Sequence, residues 1–106
     1  MKSIRQAGRE ICEGQHADAF PIDMIQGGAG TSTNMNANEV IANRALQIMG
    51  YELGDFKHCW PNDDVNRSQS TNDAYPTAAH LGLYFTHLDF LKHLELLIKS
   101  LRAKSE

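Results

Sequence analysis

Residues 74–102 read AYPTAAHLGLYFTHLDFLKHLELLIKSLR, and apolar side chains recur in this stretch at the spacing of an α-helix. Asp73 is the predicted N-cap, and Pro76 would lie in the first turn, where proline is tolerated. The apolar residues form two stripes: Leu83, Phe90, Leu94, Leu97 and Leu101, and Leu81, Tyr84, Phe85, Leu88, Leu91 and Ile98. A helix that is apolar on most sides must be buried among several partners. We therefore expect the chain to self-associate or to be part of a larger protein.

Two shorter helices are predicted before this one. The first is marked by apolar residues at helical spacing: Ile4, Ala7 and Ile11. It should end near Glu13, because Gly14 follows. The second follows the glycine-rich loop 26–30 and should end at Gly50 in a left-handed cap. Its apolar face comprises Val40, Ile41, Ala45, Leu46, Ile48 and Met49. The fold class is mainly α, and residues 1–106 are treated as one unit.

Two segments lack a sustained period and are predicted to be irregular. Residues 20–25 break the helical pattern before the glycine-rich loop. Residues 51–73 are rich in Asn, Asp and Ser, and are predicted to form a polar connection of the kind that carries functional sites.

The composition excludes several classes of protein. Ten Lys and Arg against thirteen Asp and Glu give a net charge of −3. The chain therefore lacks the excess of positive charge that favours binding to nucleic acid or acidic lipid. No stretch approaches the ~20 apolar residues of a membrane span. Cys12 and Cys59 are too few for a disulfide framework, and the N-terminal residues lack the apolar core of a signal peptide. We expect a cytoplasmic protein.

Metal and triad chemistry are not expected either. Three histidines lie on the long helix, but they do not share one face: His80, His87 and His93. The pairs Cys12 with His16 and His58 with Cys59 do not match a zinc spacing. No nucleophile elbow is present for a Ser-His-Asp triad. The expectation is therefore no metal site and no catalytic triad.

Two polar turns lead directly into predicted helices. Residues 27–32 and 66–73 each combine small or hydroxyl side chains with a helix start, where free backbone N–H groups can bind an anion. Two such turns could hold a dicarboxylate. Each also has a plainer explanation, a simple turn for the first and a capping segment for the second. Neither is a phosphate-binding loop, since no Lys follows Gly30 and Thr33 replaces a required glycine.

Three ordered stretches resemble the fumarase/aspartase superfamily. They are FPIDMIQGGAGTSTNMNANEV at 20–40, PNDDVN at 61–66 and SQSTNDAYPT at 68–77. The sequences GAGTST at 28–33 and STN at 70–72 favour its aspartate ammonia-lyase branch, because fumarases tend to have GSGTQS and SSN there. Trp60 stands where fumarases carry the histidine of a second dicarboxylate site.

This resemblance implies a fold and an activity. Members are mostly helical homotetramers in which long central helices form a common bundle. Residues 1–106 would be an internal fragment of less than a third of a member, the end of the N-terminal domain and the first long bundle helix. The implied reaction is the reversible deamination of L-aspartate to fumarate and ammonia, without a cofactor.

The resemblance also implies residue roles. Thr31, Ser70 and Thr71 would bind the β-carboxylate of the substrate, and Asn72 would contact its amino group. The serine loop that supplies the general base in the family is absent, so no catalytic residue is expected in this chain, and the isolated chain should be inactive.

Two alternatives remain open. A fumarase-type hydratase would eliminate water from malate by the same chemistry. A noncatalytic helical interaction module would keep the sequence only as ancestry, although it would need no anion-binding turns such as those at Thr31 and Ser70.

Overall fold

The computed structural model describes residues 1–23, 25 and 27–105, and it is helical with no strand in that part of the chain. The three α-helices are α1 (Lys2–Cys12), α2 (Thr31–Met49) and α3 (Thr71–Ser105), with a 3₁₀ turn at Ala17–Ala19 and a π-helical turn at Pro61–Val65. The predicted mainly α class is confirmed. Met24 and Gln26, which fall in the predicted irregular segment and glycine-rich loop, lie outside the described residues.

The chain divides into two compact units, Met1–Tyr75 and Pro76–Glu106. In the first unit, α1 packs against α2 around a small buried core: Ala7, Ala42, Ala45, Leu46 and Cys59. Alanine at three of these positions lets the two helix backbones approach closely. Burial raises the pKa of the Cys59 thiol, so this cysteine stays protonated and serves packing.

The two shorter helices end as the sequence predicts. The chain leaves α1 at Glu13, and Gly14 follows with a positive φ of 85°. After α2, Gly50 adopts the left-handed conformation with the same φ. The N–H groups of Gly50 and Tyr51 then donate to carbonyls in the last turn of α2, at 3.0 and 2.9 Å.

The start of α3 differs from the prediction. The helix begins at Thr71, and Ser70 rather than Asp73 caps it, since Ser70 Oγ accepts the N–H of Asn72 at 3.2 Å. Serine is as good a cap as aspartate and comes first along the chain. Asp73 lies inside the first turn, where its negative charge favours the positive end of the helix dipole. Pro76 consequently lies in the second turn of the helix.

Helix α3 buries none of its described side chains. Both predicted apolar stripes are exposed in this chain, with Leu83 68% exposed and Phe85 63% exposed. The residues that the structure describes therefore do not supply the burial by several partners that the stripes demand. Over the described residues, no helix combines the length and apolarity needed to cross a membrane.

Candidate functional site

The glycine turn, Gly28–Thr31, leads into α2 through three consecutive residues of positive φ. The φ angles are 97° at Gly28, 55° at Ala29 and 85° at Gly30. The N–H of Thr31 donates to the carbonyl of Gly28 at 3.2 Å and closes the turn. Glycine is needed at two of these positions because other side chains rarely adopt this conformation. The turn thereby presents Thr31, the first residue of α2, with an exposed side chain.

The serine turn, Ser70–Asn72, leads into α3 in a similar way. Ser70 and Asn72 are exposed, and Thr71 is half-buried. The cap bond to Asn72 uses only a lone pair of Ser70 Oγ. A hydroxyl also carries one hydrogen that it can donate. Capping the helix and binding an anion are therefore compatible roles for Ser70, and the two explanations of this turn do not exclude each other.

Tyr75 brings the starts of α2 and α3 together. Its ring occupies the space that a Cβ on Gly30 would need. Thr31 directly follows Gly30, and Tyr75 lies about one helical turn after Thr71. The glycine turn and the serine turn are therefore neighbours within the first unit. Both turns must be close together if one small diacid is to contact both.

Behind the serine turn lies a closed set of amide hydrogen bonds, the amide ring, formed by Asn38, Asn66 and Gln69. Asn38 Nδ2 donates to Asn66 Oδ1 at 2.9 Å, and Asn66 Nδ2 donates to the backbone carbonyl of Gln69 at 3.3 Å. Gln69 Nε2 closes the ring on Asn38 Oδ1 at 3.3 Å. Asn34 Nδ2 adds a further bond to Asn66 Oδ1 at 3.2 Å. The ring joins the first half of α2 to the residue that precedes Ser70.

Sequence reasoning missed the amide ring, although one signal was available. Asparagine is a poor residue for a helix interior. Asn38 nevertheless lies within α2 and is only 2% exposed. A buried side-chain amide in a helix requires hydrogen-bond partners. The partners are 28 and 31 residues away along the chain, so the sequence alone could not name them.

Two cavities adjoin α2, and the larger is not at the turns. The smaller, about 260 Å³, is lined by Phe20, Ile22, Asp23, Thr33 and Tyr75. The larger, about 380 Å³, includes His16, Asn43 and Arg44 in its lining. Within the described ranges, no group of three or more His, Cys, Asp or Glu side chains could hold a metal ion.

A charged cluster borders the larger cavity and ties α1 to α2. Arg44 Nε donates to Glu10 Oε2 at 2.6 Å, and His16 Nε2 lies 3.3 Å from the same oxygen. These hydrogen bonds, that from Arg44 above all, lower the pKa of Glu10 to about 2. The Glu10 carboxylate is therefore ionised and paired, and we assign it to helix packing.

Trp60 makes two contacts with residues that are close to it in the sequence. Its backbone N–H donates at 2.7 Å to Oδ2 of Asp64, a residue of the π-helical turn that follows. Its ring packs edge-on against Phe56 with 5.5 Å between ring centroids.

Comparison with known proteins gives consistent similarities. A family model described as Lyase matches residues 1–106. The aspartate ammonia-lyase of Pseudomonas aeruginosa is 55% identical over 102 residues, covering 96% of this chain and 22% of that protein. The mitochondrial fumarate hydratase of Rattus norvegicus is 48% identical over 105 residues, covering 98% of this chain and 21% of that protein.

A solved structure is also similar. The crystal structure of fumarate lyase:delta crystallin from Brucella melitensis superposes with a TM-score of 0.76 at 56% identity. The match covers 79% of this chain and 20% of that chain. This chain thus spans about a fifth of the length of the relatives that it matches.

Proposed function

Since this chain belongs to the lyase family, we propose that it is a segment of an aspartate ammonia-lyase, the enzyme that converts L-aspartate reversibly to fumarate and ammonia. Residues 1–106 would supply the end of the N-terminal domain and the first long helix of the central bundle. The 55% identity to the P. aeruginosa enzyme supports this assignment. The neighbouring positions of the glycine turn and the serine turn are the structural observation that carries it.

The chemistry explains why two donor-rich turns are useful. A base removes the proton from the carbon that bears the β-carboxylate, and the electron pair spreads into that carboxylate. The pair then forms the double bond as the bond from the neighbouring carbon to nitrogen breaks and ammonia leaves. Extra negative charge collects on the β-carboxylate during the reaction, so donors fixed around it lower the barrier.

We assign the donor roles to four residues of the two turns. Thr31 and the pair Ser70 and Thr71 would donate to the β-carboxylate, and Asn72 would contact the amino group. Hydroxyl donors and helix N-termini stabilise such a charge without a metal ion. The general base would come from a serine loop elsewhere in the whole protein, so the 106-residue chain alone should form no fumarate.

The exposed stripes of α3 support an oligomeric parent protein. In the proposed homotetramer, the equivalent helices of several subunits would cover one another and bury side chains such as Leu83 and Phe85. We further propose a cytoplasmic location, because Cys12 and Cys59 are both free, as is usual in a reducing compartment.

A fumarase-type hydratase is the second candidate, favoured by the 48% identity to the rat fumarate hydratase. The test is to express the complete reading frame that contains residues 1–106 and to follow the ultraviolet absorbance of fumarate. We expect fumarate from aspartate and ammonia-dependent loss of fumarate in reverse. Fumarate from malate alone would instead establish the hydratase, and activity on neither substrate would contradict both assignments.

A further inference from the structure

The amide ring holds the residue that leads into the serine turn. Gln69 directly precedes Ser70 and makes two bonds within the ring. Its side chain donates to Asn38, and its backbone carbonyl accepts from the side chain of Asn66. The backbone N–H of Gln69 also donates to the carbonyl of Asn66 at 3.0 Å. Asn38, seven residues after Thr31 on α2, is thus connected through Gln69 to the residue before Ser70.

This connection matters because Thr31 and one member of the ring, Asn38, lie on the same helix, α2. Asn34 and Asn38 lie one turn apart on α2, and Asn66 Oδ1 accepts from both at 3.2 and 2.9 Å. Asn38 is only 2% exposed, so its own amide group is shielded from competing water, while its partner Gln69 is exposed. Between Asn66 and Gln69, Ser68 adopts a positive φ of 63°, a conformation that a serine holds only when its surroundings impose it.

We propose that the amide ring acts as a positioning device, which sets the distance between the serine turn and Thr31 and thereby the fit of both turns to one carboxylate. Asn38, Asn66 and Gln69 are positioning residues that do not touch the substrate. The inference rests on the function proposed above. Since an error of about 1 Å in a donor's position can cost about 10²-fold in rate, loosening the ring should reduce catalysis without removing any donor.

The first test uses steady-state kinetics on the protein expressed from the complete reading frame. Asn66→Ala removes every ring bond of that side chain and should lower kcat for aspartate about 10- to 100-fold, with a smaller change in KM. Asn66→Asp keeps the oxygen that accepts from Asn34 and Asn38, and should recover most of the lost kcat. Recovery by the conservative variant separates a positioning role from general destabilisation.

Asn43→Ala is the matched control. Asn43 lies on α2, as Asn38 does, and its Oδ1 accepts the N–H of Gly54 at 2.8 Å, so it also connects α2 to a loop, but away from the two turns. We expect a comparable loss of thermal stability and a kcat within about 2-fold of the unmodified protein. If Asn66→Ala lowers kcat no more than Asn43→Ala does, the positioning role is wrong.

The second test is independent of the substrate. Hydrogen exchange in the protein expressed from the complete reading frame should show faster exchange of the backbone amide of Asn72 in Asn66→Ala, while backbone amides in the second half of α2 keep their protection. Gln69→Ala, which removes a single side-chain bond, serves if Asn66→Ala does not fold. Unchanged exchange at Asn72 in a folded variant overturns the proposal, whereas an inactive unmodified enzyme overturns only the assigned reaction.

Discussion

The ring of Tyr75 lies where a side chain on Gly30 would have to lie, so the N-terminal end of α3 packs against the residue that precedes α2. This contact joins the two turns to which the substrate contacts are assigned. It also makes Gly30 irreplaceable for two separate reasons. Its φ of 85° disfavours any side chain, and a Cβ would overlap the ring of Tyr75.

Gly30→Ala should therefore destabilise the first unit more than a backbone effect alone. Gly50 provides the control, since it has the same φ of 85° but no atom within 4 Å of the place its Cβ would occupy. We expect Gly50→Ala to cost about 1–2 kcal/mol of unfolding free energy for the left-handed backbone. Gly30→Ala should cost a further ~1–3 kcal/mol for the overlap. Equal urea-unfolding free energies for the two variants would contradict the contact.

Replacing Ser70 separates its capping role from its donor role. Ser70→Ala removes the acceptor for the N–H of Asn72 and should cost about 1 kcal/mol of stability. Ser70→Asp restores the cap but brings a negative charge and no donor to the carboxylate site. We expect Ser70→Asp to match the unmodified protein in thermal denaturation and to lose at least about 10²-fold in kcat in the complete enzyme. An active Ser70→Asp enzyme would show that Ser70 serves only as a cap.

The ion pair between Glu10 and Arg44 should make stability depend on acid pH. The folded chain holds the pKa of Glu10 at about 2, below the usual value of 4.5, so the folded state binds fewer protons in this range. The stabilisation is complete above pH 4.5 and should be lost as the pH falls toward 2. We expect the excess stability over Glu10→Gln, measured by urea unfolding, to shrink across this window. Arg44→Gln should remove the same pH-dependent difference, and a constant difference would contradict the pairing.

The exposed stripes of α3 should drive self-association of the 106-residue chain. Light scattering at increasing concentration should give a mass above that of the monomer, because an exposed apolar surface of this extent is unfavourable in water. Replacing Leu94 and Leu97 with Glu should lower that mass, whereas Lys99→Glu on the same helix should not. A monomer at every concentration would argue against the bundle.

Helix ends in this fold were predictable because they depend on residues that are close together in the sequence. The end of α2 follows from Gly50, which completes the helix through bonds to residues at most five positions away. The start of α3 was misassigned because Ser70 and Asp73 are comparable caps, and only the backbone conformation decides between them. Sequence patterns predict that a helix starts near such residues more reliably than they predict the first residue.

The hydrogen bonds that hold the two turns of the candidate site in place were not predictable in the same way. Thr31 and Ser70 were named from motifs, and their assigned roles remain predictions. The bonds that bring their turns together join residues about 30 positions apart, such as Asn38 and Gln69, and no local pattern encodes that pairing. Positive φ at Ala29 and Ser68 was equally hidden, since neither residue favours that conformation.

The most direct test measures fumarate formation from aspartate by the complete enzyme carrying Thr31→Val, with Thr33→Val as the control. Both changes replace a hydroxyl by a methyl in the first turn of α2, but only Thr31 is assigned to the β-carboxylate. We predict that Thr31→Val lowers kcat by about 10²- to 10³-fold, the cost of one lost donor, and that Thr33→Val stays near the unmodified rate. Wild-type turnover by a folded Thr31→Val enzyme would contradict the claim that the two turns bind one substrate carboxylate.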